Sequence, residues 1–460
     1  MTFGRVKHRL HSAKKSTMIC VAELLTVGKA VICMECDNAV ARRQDEMLYH
    51  NRPAFRRGSQ MFRTIQAGGT PSGDPTLDAE NTSSSEESYY EALDQIIRGV
   101  VKGKSSTFAE LSRACKGAWP GLVADRLTQL GLRDSLASES IVTEVPSHIP
   151  ELHCGFGEWY FSAESARDLA KEFISARAFS LLLGSPTIAQ LALRRGADFA
   201  LVDSNPFVNL RFQDLKSHLH YSSVEQLSAT FPSPSTIFFD APWYMPRILF
   251  WLAKASQLAN RHSTIAMPLF QSMTRPAAAN ERAMILGVAE SIGKTELVPD
   301  CITYDAPLYE SEALASRSIC AHPNWRRADL LIIRNPSPIA IPPLDHADFQ
   351  EIWENFLIAN QVVRLRLHPM PRKKRTLIAS VQGTNEYVFD TVSARDQRRK
   401  QIDLWTSRNR VAIVGDVRRM RYVLSILENS TQDTRTILRS LLPYSDAVAL
   451  SQLLAFATFH

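Results

Sequence analysis

The sequence predicts an α/β fold: a parallel, doubly wound sheet preceded by a small helical module and followed by a basic region. Three observations carry that expectation. From Glu151 onward, short apolar runs alternate with helical patterns, the order a parallel sheet with crossover helices requires. Several of those runs end in a small-residue turn or an acid, where open α/β sheets bind ligands. The chain has 460 residues, 45% hydrophobic and 22% charged, which is material for roughly three globular domains.

Residues 1–66 show no clear period and have no assignable role. Their start is basic (Arg5, Lys7, Arg9, Lys14, Lys15), and Glu23 and Lys29 interrupt the apolar run from Met18 to Val31. A secretory signal is therefore not expected. No run approaches the ~18 apolar residues of a membrane span. Seven cysteines, an odd number, fit free thiols in a reducing, cytoplasmic setting. The one C-x-x-C, Cys33 to Cys36, lacks a second pair, so no metal site is expected.

Residues 67–88 are rich in Gly, Ser, Thr and Glu and read as a disordered linker. Helical spacing begins at Tyr89. Thr107 caps a second helix with Glu110 in its first turn, and a third runs from Gly121 to Leu130. This 89–150 module reads as helix-turn-helix or winged-helix-like, with Arg126 on the reader helix.

In 151–335 the expected series begins with a helix from Ala163 to Ser175. A strand at Phe179–Leu183, a helix from Ile188 and a strand at Phe199–Val202 follow. An uncertain strand at His218–Tyr221 precedes one at Ile237–Phe239 and a helix from Arg247. Further strands are expected at Ser263–Met267, at Thr295–Val298 or Cys301–Tyr304, and at Leu330–Ile333. Residues 336–460 open with Pro336, Pro338, Pro342 and Pro343 and read as a basic, mainly helical domain, beginning with a helix around Phe349–Gln361. Between 361 and 421, fifteen Lys and Arg stand against five Asp and Glu. With interleaved Tyr387, Phe389 and Trp405, the clusters Arg372, Lys373, Lys374, Arg375 and Arg398, Arg399, Lys400 read as a nucleic-acid-binding surface.

The strand ends carry the chemistry. Gly184-Ser185-Pro186 is a turn a ligand can approach closely, since Gly184 has no side chain. Asp203, about twenty residues on, is placed to accept from the two hydroxyls of a ribose. His220-Tyr221-Ser222 and Asp240-Ala241-Pro242-Trp243 follow. Without a full Gly-x-Gly-x-x-Gly, a pyrophosphate is poorly served, and a cofactor with a ribose and no phosphate, S-adenosylmethionine, fits better.

Four segments together make the pattern specific: the run from Trp159-Tyr160-Phe161-Ser162 to Ala170, then Leu183 to Ile188, Leu201 to Asp203, and Asp240 to Trp243. They resemble the class I S-adenosylmethionine-dependent methyltransferases first described as N6-adenine methyltransferases, a family that also contains elongation-factor lysine methyltransferases. The similarity spans about 155–335. It implies a Rossmann-like methyltransferase sheet and transfer of methyl to the N6 amine of adenine in DNA or RNA. It assigns Tyr160, Ser165, Gly184, Ser185, Pro186, Asp203 and Tyr221 to the cofactor, and Asp240, Pro242 and Trp243 to catalysis. The family has Pro where this chain has Ala241. That departure leaves open an inactive copy, and the family's mixed chemistry leaves open a lysine acceptor.

Overall fold

The computed structural model describes residues 75–103, 106–136, 149–228, 230–343, 352–367, 376–382, 386–393 and 396–455, with four short strands before them. The chain divides into two compact units, Met1–Pro75 and Thr76–His460. In the first, His8–Arg9 pairs antiparallel with Ile19–Cys20, and Leu25–Val27 with Ala30–Ile32. Cys33 and Cys36 lie outside the described residues.

The second unit opens with helix α1 (Pro75–Gly103), followed by α2 (Phe108–Ala114) and α3 (Pro120–Gln129). The expected 67–88 linker is therefore helical from Pro75 onward. Proline suits a first helical turn, and Tyr89, Leu93 and Ile97 anchor the same helix by burying one face. Thr107 and Glu110 form the expected capping box. Cys115, Val123 and Leu127 complete a small core to which Met273 of the sheet region contributes. Arg126 is not free to read a groove. It donates to both oxygens of Asp94, at 2.8 and 2.5 Å, and lies over the Tyr90 ring.

Eight strands and their helices then alternate. They run β1 (Tyr160–Phe161), α4 (Ala163–Phe173), β2 (Ser180–Leu183), α5 (Pro186–Arg194), β3 (Phe199–Asp203) and β4 (Leu219–Tyr221). After them come β5 (Thr236–Phe239), α6 (Met245–Leu258), β6 (Thr264–Phe270), α7 (Ala278–Ile292), β7 (Lys294–Asp305), α8 (Leu308–Ala315) and β8 (Arg327–Arg334). The sheet order is β1-β7-β8-β6-β5-β2-β3-β4. Strands β4, β3, β2, β5 and β6 pair in parallel, whereas β8 is antiparallel to both β6 and β7, and β1 to β7. Apart from the reversed β8 and β1, the strands run in one direction, in the Rossmann-like sheet that the resemblance implied.

Local sequence explains the pieces. All four residues of β2 and of β5 are buried, as strands covered on both faces must be. Ser162 caps α4 by accepting from Ser165 N, and Ala166, Leu169, Ala170 and Phe173 form its buried face. The two alternatives at 295–304 are one strand, β7, kinked by a bulge between Val298 and Ile302. Asp300 sits there at φ 53°, its backbone N–H held by Asp329.

The C-terminal region differs from the expected helix at 349–361. Strands β9 (Trp353–Ile358) and β10 (Gln361–Arg366) form a hairpin, then come β11 (Ile378–Ser380), β12 (Leu404–Thr406) and β13 (Val411–Val414). They make an antiparallel sheet in the order β9-β10-β12-β13-β11. The hairpin turns on Ala359 and Asn360, both at positive φ, the backbone that reverses a right-twisted strand in two residues. Apolar residues on either side of that turn follow a period of two that a helical reading overrode. Helices α9 (Val417–Asn429), α10 (Thr434–Leu441) and α11 (Tyr444–Leu453) close the chain and share a core with this sheet. Among the described residues, no helix is long and apolar enough to cross a membrane.

Candidate active site

A cavity of about 740 Å³ opens at the carboxyl ends of the parallel strands. Gly184, at the end of β2, adopts φ 63°, and a Cβ there would meet the Asp240 carbonyl oxygen at 3.1 Å and the Trp251 ring at 3.2 Å. Bare backbone at this point keeps the β2 and β5 ends in contact and leaves the cavity open between them.

Asp203 ends β3. Its Oδ1 accepts from the backbone N–H of Asn205 at 2.8 Å, and burial pushes its pKa up to about 7, opposed mainly by that hydrogen bond. Behind it, Glu158 is buried against Arg211, Tyr160 and the Asn205 side-chain amide. Arg211 also donates to the carbonyls of Pro150 and Glu151, so the buried pair is well satisfied and rigid. Ser222, Val224 and Glu225, just past β4, continue this wall. Glu225 accepts from the Trp251 indole N–H at 3.0 Å.

Asp240 follows β5. It accepts from the Tyr304 hydroxyl at 3.0 Å, and burial raises its pKa to about 7, against the pull of that hydrogen bond and of Arg326. Trp243 is buried, edge-on to Tyr304, and the Arg326 guanidinium lies 3.8 Å from its ring centre. The same guanidinium sits 4.3 Å from the centre of Trp159. One face of Trp243 is thus covered by a cation, which a base stacking there would displace.

Across the cavity, α8 presents Glu310, fully buried, whose Oε1 accepts from Trp119 Nε1 at 2.6 Å. Burial raises this carboxyl to about 7 as well. The N-terminal helices thereby supply part of the wall, and Thr391, Val392, Ser393 and Arg399 of the C-terminal domain supply another. That domain is fastened to the segment leading into β1 by Arg408 and Ser407 on Glu151 and by His153 against the Trp405 carbonyl.

Of the residues expected from sequence, the structure brings Tyr160, Gly184, Pro186, Asp203, Asp240, Pro242 and Trp243 to one cavity. It does not bring Ser165, Ser185 or Tyr221 there. Ser165 accepts from the Thr303 N–H and ties α4 to β7. Ser185 turns its hydroxyl back onto the Leu183 carbonyl, and Tyr221 is 61% exposed on the edge strand. In the basic clusters, Arg398 is spent on Asp390 and Asp396, and Arg399 lies over Trp405. Lys400 is exposed on the short helical turn Gln397–Gln401. Arg372, Lys373, Lys374 and Arg375 lie outside the described residues. Glu158, Glu310 and Arg326 went unrecognised in the sequence. Only Glu158, one residue before the aromatic run, stood near a visible signal.

No protein-family model matches the chain, and no curated protein does. Solved structures give remote likenesses. The C9 mutein of a branched-chain polyamine synthase from Thermus thermophilus, in complex with N4-aminopropylspermidine and 5'-methylthioadenosine, is 14% identical over 58% of this chain and 96% of its own, with a TM-score of 0.43. The T. thermophilus 16S rRNA N2 methyltransferase is 10% identical over 45% and 47%, with a TM-score of 0.26. The N-methyltransferase NodS from Bradyrhizobium japonicum is 12% identical over 38% and 93%, also at 0.26. Such scores add nothing to the topology. The strand order and directions themselves define a Rossmann-like α/β fold.

Proposed function

We propose that this chain is an S-adenosylmethionine-dependent methyltransferase whose acceptor is the exocyclic N6 amine of adenine in DNA or RNA. The observation that carries the reading is the contact between the two strand ends. Gly184, on the cofactor side, has only backbone to set against the carbonyl of Asp240, the acid on the acceptor side. The donor set suits the cofactor: Asp203 is half-buried in the cavity wall, where a carboxyl can meet ribose hydroxyls, and nothing at Gly184 blocks a close approach. S-adenosylmethionine, when bound, supplies an electrophilic methyl group. The chain itself has to hold an amine in line with it, since positioning accounts for much of such a barrier. Asp240 and its neighbouring carbonyl accept the amine hydrogens, and Tyr304 fixes the carboxylate rotamer. The buried walls exclude water. Nucleic acid as the partner is supported by the run Arg372–Arg375 and by the acceptor-strand motif.

Mass spectrometry of nucleosides after incubation of DNA and RNA with labelled cofactor tests this, beside a lysine-peptide arm. The expected product is N6-methyladenine. Asp240→Ala should abolish it while cofactor affinity stays near the parent value, because the cofactor lies on the Asp203 side. Methylated lysine without methylated base would overturn the acceptor assignment, and binding without transfer to either would overturn the enzyme.

A further inference from the structure

Arg326, immediately before β8, is held in the cavity wall by stacking alone. Its guanidinium lies 3.8 Å from the ring centre of Trp243, 4.3 Å from that of Trp159 and 5.7 Å from that of Tyr304. Among the described residues its side chain has neither an ion pair nor a hydrogen bond. The neighbouring Arg211 and Arg275, by contrast, are paired with Glu158 and Glu281. The Arg326 main chain is tied to the same cluster, because the Tyr304 N–H donates to its carbonyl at 3.1 Å. Stacking on aromatic faces fixes a cation with about 0.5–2 kcal/mol and leaves its charge unneutralised.

The acid this charge acts on is Asp240. It is half-buried in the same cavity, with Oδ1 taken by the Tyr304 hydroxyl and Oδ2 accepting from no described residue. Tyr304 on β7 and Arg326 before β8 are the two groups that favour its ionised form against burial. The other ionisable groups around the cavity have partners elsewhere: Asp203 after β3 holds a backbone N–H, Glu225 after β4 and Glu310 on α8 hold indoles, and Arg275 after β6 holds Glu281. Helix α6 adds Arg247.

We infer that Arg326 is a positioning residue for the amine transfer: pinned between two indoles instead of on an acid, it keeps Asp240 charged while leaving Oδ2 open to the amine. The inference rests on the proposed methylation and deepens it. A guanidinium in direct contact would take both carboxylate oxygens as a bidentate pair and fill the acceptor position. With no cation nearby, a buried carboxyl would keep its proton near neutral pH, where the amine needs a lone pair. The aromatic slot meets both demands. Since the guanidinium covers one face of Trp243, a base that leaves it in place lies beside that ring.

The test is a pH titration of the full chain by NMR, with aspartate labelled with carbon-13 at its carboxyl and S-adenosylhomocysteine bound. The proteins are the parent, Arg326→Met and Arg326→Lys, and the Asp240 signal is the one missing from Asp240→Asn. Met keeps a long side chain without the charge, and Lys keeps the charge. The midpoint, about 7 in the parent, should rise by roughly one pH unit in Arg326→Met and stay near the parent's in Arg326→Lys. The acid limb of N6-methylation should move with it, so that the deficit of Arg326→Met is largest below about pH 7 and shrinks above. Parent-like S-adenosylhomocysteine affinity reports folding. An unmoved midpoint in Arg326→Met, or turnover lowered by one factor at every pH, overturns the role. A raised midpoint with no methyl transferred to nucleic acid keeps the coupling of Arg326 to Asp240 and sinks the proposed activity. N6-methylation with midpoint and acid limb both unmoved does the reverse.

Discussion

Asp203, Asp240 and Glu310 share a cavity and a physical condition: burial lifts each to a pKa of about 7, far above an ordinary carboxyl. Their roles separate by partner. Asp203 has a backbone N–H on one oxygen, Asp240 a tyrosine hydroxyl, and Glu310 an indole on one oxygen and nothing on the other. Asp203→Ala should weaken S-adenosylmethionine by about 1.5–3 kcal/mol, the range of a charge-assisted hydrogen bond. Calorimetry showing parent affinity in the folded variant would remove the ribose role. Asp240 has to be ionised to accept amine hydrogens. Turnover at saturating cofactor should therefore climb as pH rises through about 7, and a profile flat from pH 5.5 to 8.5 would contradict that role.

Elements place these residues with unequal visibility. Strands β2, β3 and β5 advertise themselves as short apolar runs ending in Gly184, Asp203 and Asp240, so half of the cavity was legible before any coordinates. The other half comes from pieces far apart in sequence: Trp119 on a helical module, Glu310 on α8, Arg326 at the start of β8. No local period marks such a wall, because its members are neighbours only after the sheet closes. The hairpin of β9 and β10 was hidden differently, by a turn of Ala and Asn in place of the usual Asn-Gly or Asp-Gly. The loop after β5 offers an element-scale prediction. Ala241 is buried at the turn, and Ala241→Pro would impose the stiffer backbone of a second proline at this turn. Methylation by this variant should equal or exceed the parent's in an initial-rate assay. A loss of tenfold or more, with cofactor affinity retained, would mean that the Ala241 backbone has settled into a conformation proline cannot adopt.

For the whole molecule, three carboxyls with raised folded-state pKa values impose a pH dependence of known sign. The unfolded chain releases these protons near pH 4 and the folded chain only near 7, so between those limits the folded state binds more protons. Stability from these groups is present at low pH and declines as pH rises toward 7, then levels off. The unliganded parent should lose a few degrees of Tm between pH 5 and 7.5. Glu310→Gln, which cannot ionise, should show a shallower fall. A Tm that rises equally in both proteins across that window would show these acids to be solvated.

The Trp119–Glu310 hydrogen bond bears on how the chain could be cut and recombined. A protein engineer would recognise residues 151–335 as the portable catalytic cassette, since every strand-end motif legible in the sequence lies there. Yet the carboxyl at 310 is kept dry by a tryptophan some 190 positions upstream, and other parts of the wall arrive from beyond residue 390. Grafted alone onto another binding module, that cassette would carry the cofactor half of the machine with the acceptor half flooded. Any lineage that shuffled this sheet would have had to move its flanks with it.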